Sequence, residues 1–339
     1  MDSAQPQTVG RATPVDDNKR LMLFAGRGNP ELGAAVADEL GVGLGAVTLK
    51  TFSAGESYCR YDESVRGADV FIVQSTCDNP ATDVRTNHAL MELLLLIDAA
   101  VGASAHRVIA VMPYMGYSRQ DKKSELREPL SARLVAHMLE AAGIDRAVAL
   151  DLHAGQIQGF FSKPLDHGTA MHLIADYFSD MQLDDLVVVA PDVGRVKLNN
   201  KFADKLGADL ALMTKERPAQ QVAEIGYVIG DVKGKTALII DDIIDTGGTV
   251  AAAGQTVLDA GAKRVYAAAT HGLFSGDAHR ILRDGPFEQI VVTDTVPLRE
   301  GAPDNIVQLS VAPLLARSIE AIFTNRPISD VFQGQNQPF

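Results

Sequence analysis

The densest set of chemically useful side chains lies in Ala237–Val250, ALIIDDIIDTGGTV. The apolar run Ala237–Ile240 reads as a buried parallel strand, with Asp241 and Asp242 at its carboxyl end. Asp245, Thr246, Gly247, Gly248 and Thr249 then turn into a helix. In open α/β sheets, ligands bind beyond the carboxyl ends of the strands. A Gly-Gly turn entering a helix aims successive backbone N–H groups at an anion. Thr246 and Thr249 add hydroxyl donors. Two carboxylates repel a phosphate, but they accept hydrogen bonds from a pair of sugar hydroxyls. The loop therefore suits a sugar phosphate, with the diol on the acids and the phosphate on the nest. It is not a Walker A loop, because no Gly-Lys-Ser/Thr follows.

Other segments bring complementary groups to strand ends. His153 follows the strand Ala147–Asp151 (AVALD), and Asp192 and Gly194 in PDVGR follow Leu186–Ala190 (LVVVA). A carboxylate and an imidazole at neighbouring strand ends can hold Mg²⁺ together with waters and phosphate oxygens, although imidazole is an unusual ligand for that ion. Arg119, Lys122, Lys123 and Arg127 make the densest basic cluster, beside Tyr114 and Tyr117. It reads either as a solvated loop or as a seat for a nucleotide triphosphate. Lys215 and Arg217 in TKERP open a polar stretch running to about Glu224. Two such charges are ordinarily solvent-facing; over a transferring phosphate they would stabilise charge on its oxygens.

Bulk composition limits the alternatives. The formal net charge of the 339 residues is −12, which argues against a general nucleic-acid binder. Any phosphate site must then rest on local cations, backbone N–H groups and metal. Cys59 and Cys77 build neither a disulfide framework nor a zinc pattern, and suit a reducing compartment. Residues 1–19 are polar, lack the apolar core of a signal peptide and read as a disordered tail. Ala89–Val101 contains Glu92 and Asp98 and is too short to span a bilayer. A cytoplasmic protein without membrane or nucleic-acid partners is expected.

These residues need a scaffold of alternating strands and helices. Strands are predicted at Leu21–Ala25, Asp69–Gln74, Arg107–Met112, Ala147–Asp151, Leu186–Ala190, Asp209–Met213, Ala237–Ile240, Arg264–Ala268, Gln289–Val292 and Ile306–Leu309. Helices are predicted at Pro30–Leu40, near Leu90–Val101, and at Pro129–Ala142, Thr169–Phe178, Val196–Leu206, Val250–Ala260 and Pro313–Phe323. The layout repeats about the turn Ser162-Lys163-Pro164. Two domains are expected, at 20–165 and 166–325, with a C-terminal tail at 326–339.

The stretch Ala237–Val250 resembles the phosphoribosyl diphosphate (PRPP) motif of the type I phosphoribosyltransferase superfamily. FAGRGNPEL, KTFSAGESYCR, RQDKK, DLHAGQIQGFF, PDVGR, KERP, DDIIDTGGT and THGLFSG, in that order, resemble the PRPP synthetases of the phosphate-dependent class. The resemblance covers about 21–323. It implies an α/β fold of two tandem phosphoribosyltransferase type I-like domains, each a mainly parallel sheet flanked by helices. It implies transfer of the β,γ-diphosphoryl group of Mg·ATP to the 1-hydroxyl of ribose 5-phosphate, giving PRPP and AMP. Asp241, Asp242, Asp245, Thr246, Gly247, Gly248 and Thr249 match the ribose 5-phosphate loop, and Lys215 and Arg217 the catalytic loop. Arg119, Gln120 and His153 match nucleotide contacts, and His153 and Asp192 also positions near metal and diphosphate. Phe52 and Glu56 match a loop reaching the adenine site of a neighbouring subunit. The resemblance further implies a homo-oligomer, a hexamer built from dimers, activated by inorganic phosphate and inhibited by ADP near Arg66, Arg127 and Gln158. Ala54 stands where the family usually has Asn or Asp, and Arg195 replaces a frequent second glycine. The alternatives are a non-catalytic regulatory paralogue and a phosphoribosyltransferase. Retention of His153, Asp192, Lys215 and Arg217 speaks against the first. RQDKK and KERP, which a phosphoribosyltransferase would leave unexplained, speak against the second.

Overall fold

The computed structural model describes residues 19–216 and 225–332. Lys215 falls within it by its backbone alone. Arg217, most of the tail at 1–19 and residues 333–339 lie outside the described residues.

The first half begins with β1 (Leu21–Ala25) and α1 (Pro30–Leu40). The Asn29 side chain accepts the Leu32 N–H, Pro30 starts the helix, and Gly41 ends it in the left-handed region at φ 65°, as cap chemistry requires. There follow β2 (Val47–Thr51), β3 (Ser57–Tyr61), β4 (Asp69–Val73), α2 (Thr86–Gly102), β5 (Arg107–Met112), α3 (Ser131–Ala142), β6 (Arg146–Leu150) and β7 (Leu165–Gly168). Strands β1, β4, β5, β6 and β7 form, in that order, a parallel sheet. Such sheets are buried on both faces, and β4 is buried at every position. Helix α2 starts earlier than its apolar stretch suggests, because Asp78 Oδ1 accepts both the N–H and the hydroxyl of Thr86. The β2–β3 hairpin stands apart from the sheet. Its residues are mostly half-buried without strict alternation, so no strand pattern marks it in the sequence.

The second half comprises α4 (Met171–Asp180), β8 (Leu186–Ala190), α5 (Val196–Leu206), β9 (Asp209–Glu216), β10 (Ile225–Ile229), β11 (Thr236–Ile244), α6 (Gly248–Asp259), β12 (Arg264–Gly272), α7 (Ala278–Arg283), β13 (Phe287–Thr293), β14 (Ile306–Leu309) and α8 (Ala312–Phe323). Its sheet runs β10-β9-β8-β11-β12-β13-β14, with only β10 antiparallel.

The halves interlock. The expected seam at 165/166 falls inside β7, which completes the first sheet by pairing with β6. Helix α8 does not stay with the second sheet. Val311, Leu315, Ile319 and Ile322 share one apolar cluster with Leu32 and Val36 of α1 and with Phe71 and Val148. Phe332, in the expected tail, is 1 % exposed in that cluster. The cause is the bare face of the first sheet. Its own helices α2 and α3 cover one side, so the chain's end returns to help α1 cover the other.

Candidate active site

Chain order fixes where the cleft opens. From β8 the chain moves outward to β9 and β10, then crosses back to place β11 on the other side of β8. That reversal makes the β8/β11 border a topological switch point. Pairing of β11 with β8 ends at Ile239↔Val189, whereas pairing with β12 continues to Ile244↔Gly272. One side of Asp241–Ile244 is therefore left open to the loop after β8. Strand β11 is longer than its apolar core, so the two acids lie within it rather than past its end.

A cleft of about 260 Å³ forms there, lined by Asp241, Asp242, Asp245, Thr246, Gly247 and Thr249, with Asp192 and Arg195 from the loop after β8. His153 and Arg119 reach it from the first half. Gly247, at φ 79°, precedes α6, whose N-terminus has no side-chain cap. The first N–H groups of such a helix lack intrahelical partners, and Gly248 and Thr249 are exposed at that end. The start of α6 therefore offers exposed, uncapped backbone donors where the sequence reading expected a phosphate.

The acids are already engaged. Arg195 Nη2 lies 2.6 Å from Asp242 Oδ1, and Nε lies 3.3 Å from Asp241 Oδ1. His153 Nδ1 is 2.7 Å from Asp242 Oδ2. Arg195 Nη2 is 3.0 Å from the same ring nitrogen. Burial, then the hydrogen bond with Asp242 and its charge, push the Asp241 carboxyl up to about 8, against Arg195. Burial also opposes ionisation of Asp242, but hydrogen bonds with His153 and Asp241 and the Arg195 charge outweigh it, holding that carboxyl well below the usual range. A carboxyl raised on folding contributes stability below its unfolded value, about 3.9, and loses it as pH rises through the folded one. The Tm should therefore fall as pH rises from about 4 to about 8 and level off above that, and fall less steeply in Asp241→Asn. Parallel Tm curves for the two proteins would remove Asp241 as the cause.

Further contacts tie the halves together. Arg119 Nη1 meets Asp245 Oδ2 at 2.5 Å. Asp151 is buried, sits at φ 36° and accepts the Ala170 N–H and the Thr270 hydroxyl. His271 Nδ1 is 2.9 Å from Thr295 Oγ1, and its Nε2 is 3.2 Å from the carbonyls of Leu150 and Asp151. Asp151 and His271 position the His153 loop; neither stood out in the sequence, where a buried His cannot be told from a core one. Arg195 was legible only as a cation near a strand-end Asp, and its grip on both acids needed β8 and β11 side by side.

The remaining candidates lie elsewhere. Phe52 and Glu56 occupy the β2–β3 turn, where the Phe52 N–H bonds to the Glu56 carbonyl, Phe52 is exposed, and Lys50 Nζ lies 4.9 Å from its ring. The Gln120 side chain accepts the Ser131 hydroxyl at the start of α3. Arg66 and Arg127 are exposed, and Gln158 bonds to the Gly155 carbonyl. Among the described residues, no hydrogen bond or ion pair brings Arg66, Arg127 and Gln158 together. Lys215 is near the carboxyl end of β9, paired by its backbone with Gly226.

Residues 21–143 match the family model for the N-terminal domain of ribose phosphate pyrophosphokinase, and 219–333 match that for the phosphoribosyl synthetase-associated domain. A ribose-phosphate pyrophosphokinase of Caldanaerobacter subterraneus subsp. tengcongensis is 48 % identical over 92 % of this chain and 98 % of its own length. One from Clostridium perfringens is 47 % identical over 93 % and 98 %. The crystal structure of phosphoribosylpyrophosphate synthetase from Mycobacterium smegmatis superposes with a TM-score of 0.85 at 47 % identity, covering 91 % of this chain and all of that one.

Proposed function

The chain belongs to the ribose-phosphate pyrophosphokinase family, and from that membership we propose that the cleft between its halves is where ATP and ribose 5-phosphate react. The enzyme transfers the diphosphoryl group of ATP to the 1-hydroxyl of ribose 5-phosphate, giving PRPP and AMP. One observation carries the placement of the site. An uncapped Gly-Gly helix start and two strand-borne acids share a switch-point cleft with His153, Asp192, Arg195 and Arg119.

In this reading the nest at Gly247–Thr249 holds the 5-phosphate, helped by the Thr246 and Thr249 hydroxyls. Asp241 and Asp242 accept from the 2,3-diol. The sugar is thereby aimed so that its 1-oxygen attacks the β-phosphorus. The bond from that phosphorus to the α,β-bridging oxygen breaks, AMP leaves with that oxygen, and the hydroxyl proton passes to solvent. Lys215 and Arg217 stabilise charge on the transferring oxygens. Arg119 and Gln120 belong to the nucleotide side, and Arg119 also braces Asp245.

Mg²⁺ is the proposed cofactor. Among the described residues, no three His, Cys, Asp or Glu side chains converge on a common point. That fits an ion carried on substrate phosphates and waters, which takes only one or two carboxylates from protein. Asp192, exposed at the cleft, is the hard-oxygen donor of the pair, and His153 lies beside it. Bound there, the ion would neutralise phosphate charge and orient the transferring group.

The exposed Phe52–Glu56 turn supports completion of the adenine site by another copy, in a hexamer built from dimers. Inorganic phosphate as activator and ADP as inhibitor, acting near Arg66, Arg127 and Gln158, belong to the same reading. So does a cytoplasmic location: among the described residues, no helix is long and apolar enough to cross a membrane.

The test is product identity from ATP and ribose 5-phosphate with Mg²⁺ and phosphate. AMP and PRPP in equal amounts are expected. ADP as the nucleotide product would mean transfer of one phosphoryl group, and no AMP at any phosphate concentration would leave a regulatory paralogue.

A further inference from the structure

We propose that Arg195 is a latch on the sugar site: its guanidinium occupies the acids that the ribose diol must use, and it has to leave before ribose 5-phosphate can seat. The inference rests on the placement of the diol at Asp241 and Asp242 argued above.

The acceptor inventory carries it. Asp242 gives one oxygen to Arg195 at 2.6 Å and the other to His153 at 2.7 Å. Its side chain is only 6 % exposed. Asp241 Oδ1 serves both Arg195 and the Asp242 N–H. A diol approaching from the cleft finds the guanidinium already on both carboxylates. Asp242, held ionised, accepts and does not donate, and a guanidinium only donates, so sugar hydroxyls and Arg195 compete for its lone pairs. Arg195 is the moving part. It sits in a short turn, Val193–Arg195, held to Asp192 by its backbone N–H at 3.1 Å. Its side chain, 11 % exposed and also 3.4 Å from the His153 carbonyl, has to give up those contacts while that anchor stays. Released, it remains in the cleft beside His153 and Asp192 as a cation free to meet phosphate oxygens.

When only a fraction of molecules is binding-competent, apparent affinity falls by that fraction. A latch closed in nine molecules of ten would weaken sugar binding about tenfold. Removing it should restore that factor while taking a cation from the reacting phosphates. A residue with a merely structural role would not produce that split.

The experiment is calorimetric titration of the full-length chain with ribose 5-phosphate, without nucleotide, for wild type, Arg195→Ala and Arg195→Gln, followed by turnover measurements. Both variants should bind ribose 5-phosphate about tenfold more tightly and show a lower KM for it together with a lower kcat. Thermal melts identify a variant that fails to fold, and the glutamine form keeps most of the side chain's volume. Equal or weaker binding by folded variants would overturn the latch. Gly248→Asp, which puts a carboxylate into the nest, separates the two claims. If it abolishes binding in wild type and Arg195→Ala alike, the site reading stands and the arginine variants decide the latch. If it leaves binding intact, the sugar phosphate sits elsewhere and both claims fail.

Discussion

Lys215→Ala should cut turnover by about 10²–10³-fold, the usual loss when one transition-state donor is removed, while the Kd for ribose 5-phosphate stays within about twofold of wild type. Strand β9 lies next to β8 in the sheet, and both are parallel there, so their carboxyl ends face the same edge. Lys215 is one residue from the end of β9, at the edge where Asp192 follows β8. As the diphosphoryl group passes between oxygens, negative charge spreads over its equatorial oxygens, and a cation at that edge stabilises the transition state more than either ground state. In the proposed reading the sugar is bound on the other side of the switch point, by β11 and α6, so its affinity has no reason to change. Quenched-flow measurement of AMP, paired with calorimetric binding of ribose 5-phosphate, separates the two quantities. A variant that keeps wild-type turnover would move the catalytic cation elsewhere. One that loses sugar binding in proportion to turnover would place Lys215 on the sugar instead.

Much of this arrangement is readable in the chain, for identifiable reasons. Strand β1, helix α1, β5, β8, α5 and β14 have the residue limits expected from apolar runs, Asn-Pro starts and glycine stops. Their signals are local and agree with their tertiary setting. Elements whose existence depends on distant partners were harder to read. Strand β7 has only Leu165–Gly168 and exists because β6 offers a free edge. The β2–β3 hairpin packs on α2 through the Tyr61 hydroxyl and the Leu96 carbonyl, a contact with no sequence periodicity. The site follows the same division. The Asp-Asp and Gly-Gly loop declared itself because its parts are contiguous. Arg195 did not, because its two carboxylate partners lie 46 and 47 positions away and meet it only across the β8/β11 border. The return of α8 to the first sheet was hidden similarly: its apolar face is plain, but a helix does not announce which sheet it will cover.

Replacing Gly247 by valine should weaken ribose 5-phosphate binding by about 10–100-fold with a smaller loss of stability. The backbone there is at φ 79°, a region that a β-branched residue avoids. Such strain costs about 1–3 kcal/mol. Space is short as well: a Cβ at this position would come within 3.1 Å of Leu282 Cγ and 3.2 Å of its Cδ2. Leu282 is fully buried in the apolar cluster below, so it cannot move aside without disturbing packing. The chain can relieve the strain most cheaply by letting the turn leave the left-handed conformation, since Thr246, Gly248 and Thr249 face solvent. That movement rotates the uncapped N–H groups at the start of α6 away from a common point. The nest is then lost while most of the fold survives. The expected signature is a large rise in the KM for ribose 5-phosphate, a small fall in Tm and an unchanged KM for ATP. A variant with unchanged sugar KM would show that the 5-phosphate is held by side chains rather than by this backbone. Equal rises in both KM values would point instead to collapse of the whole cleft.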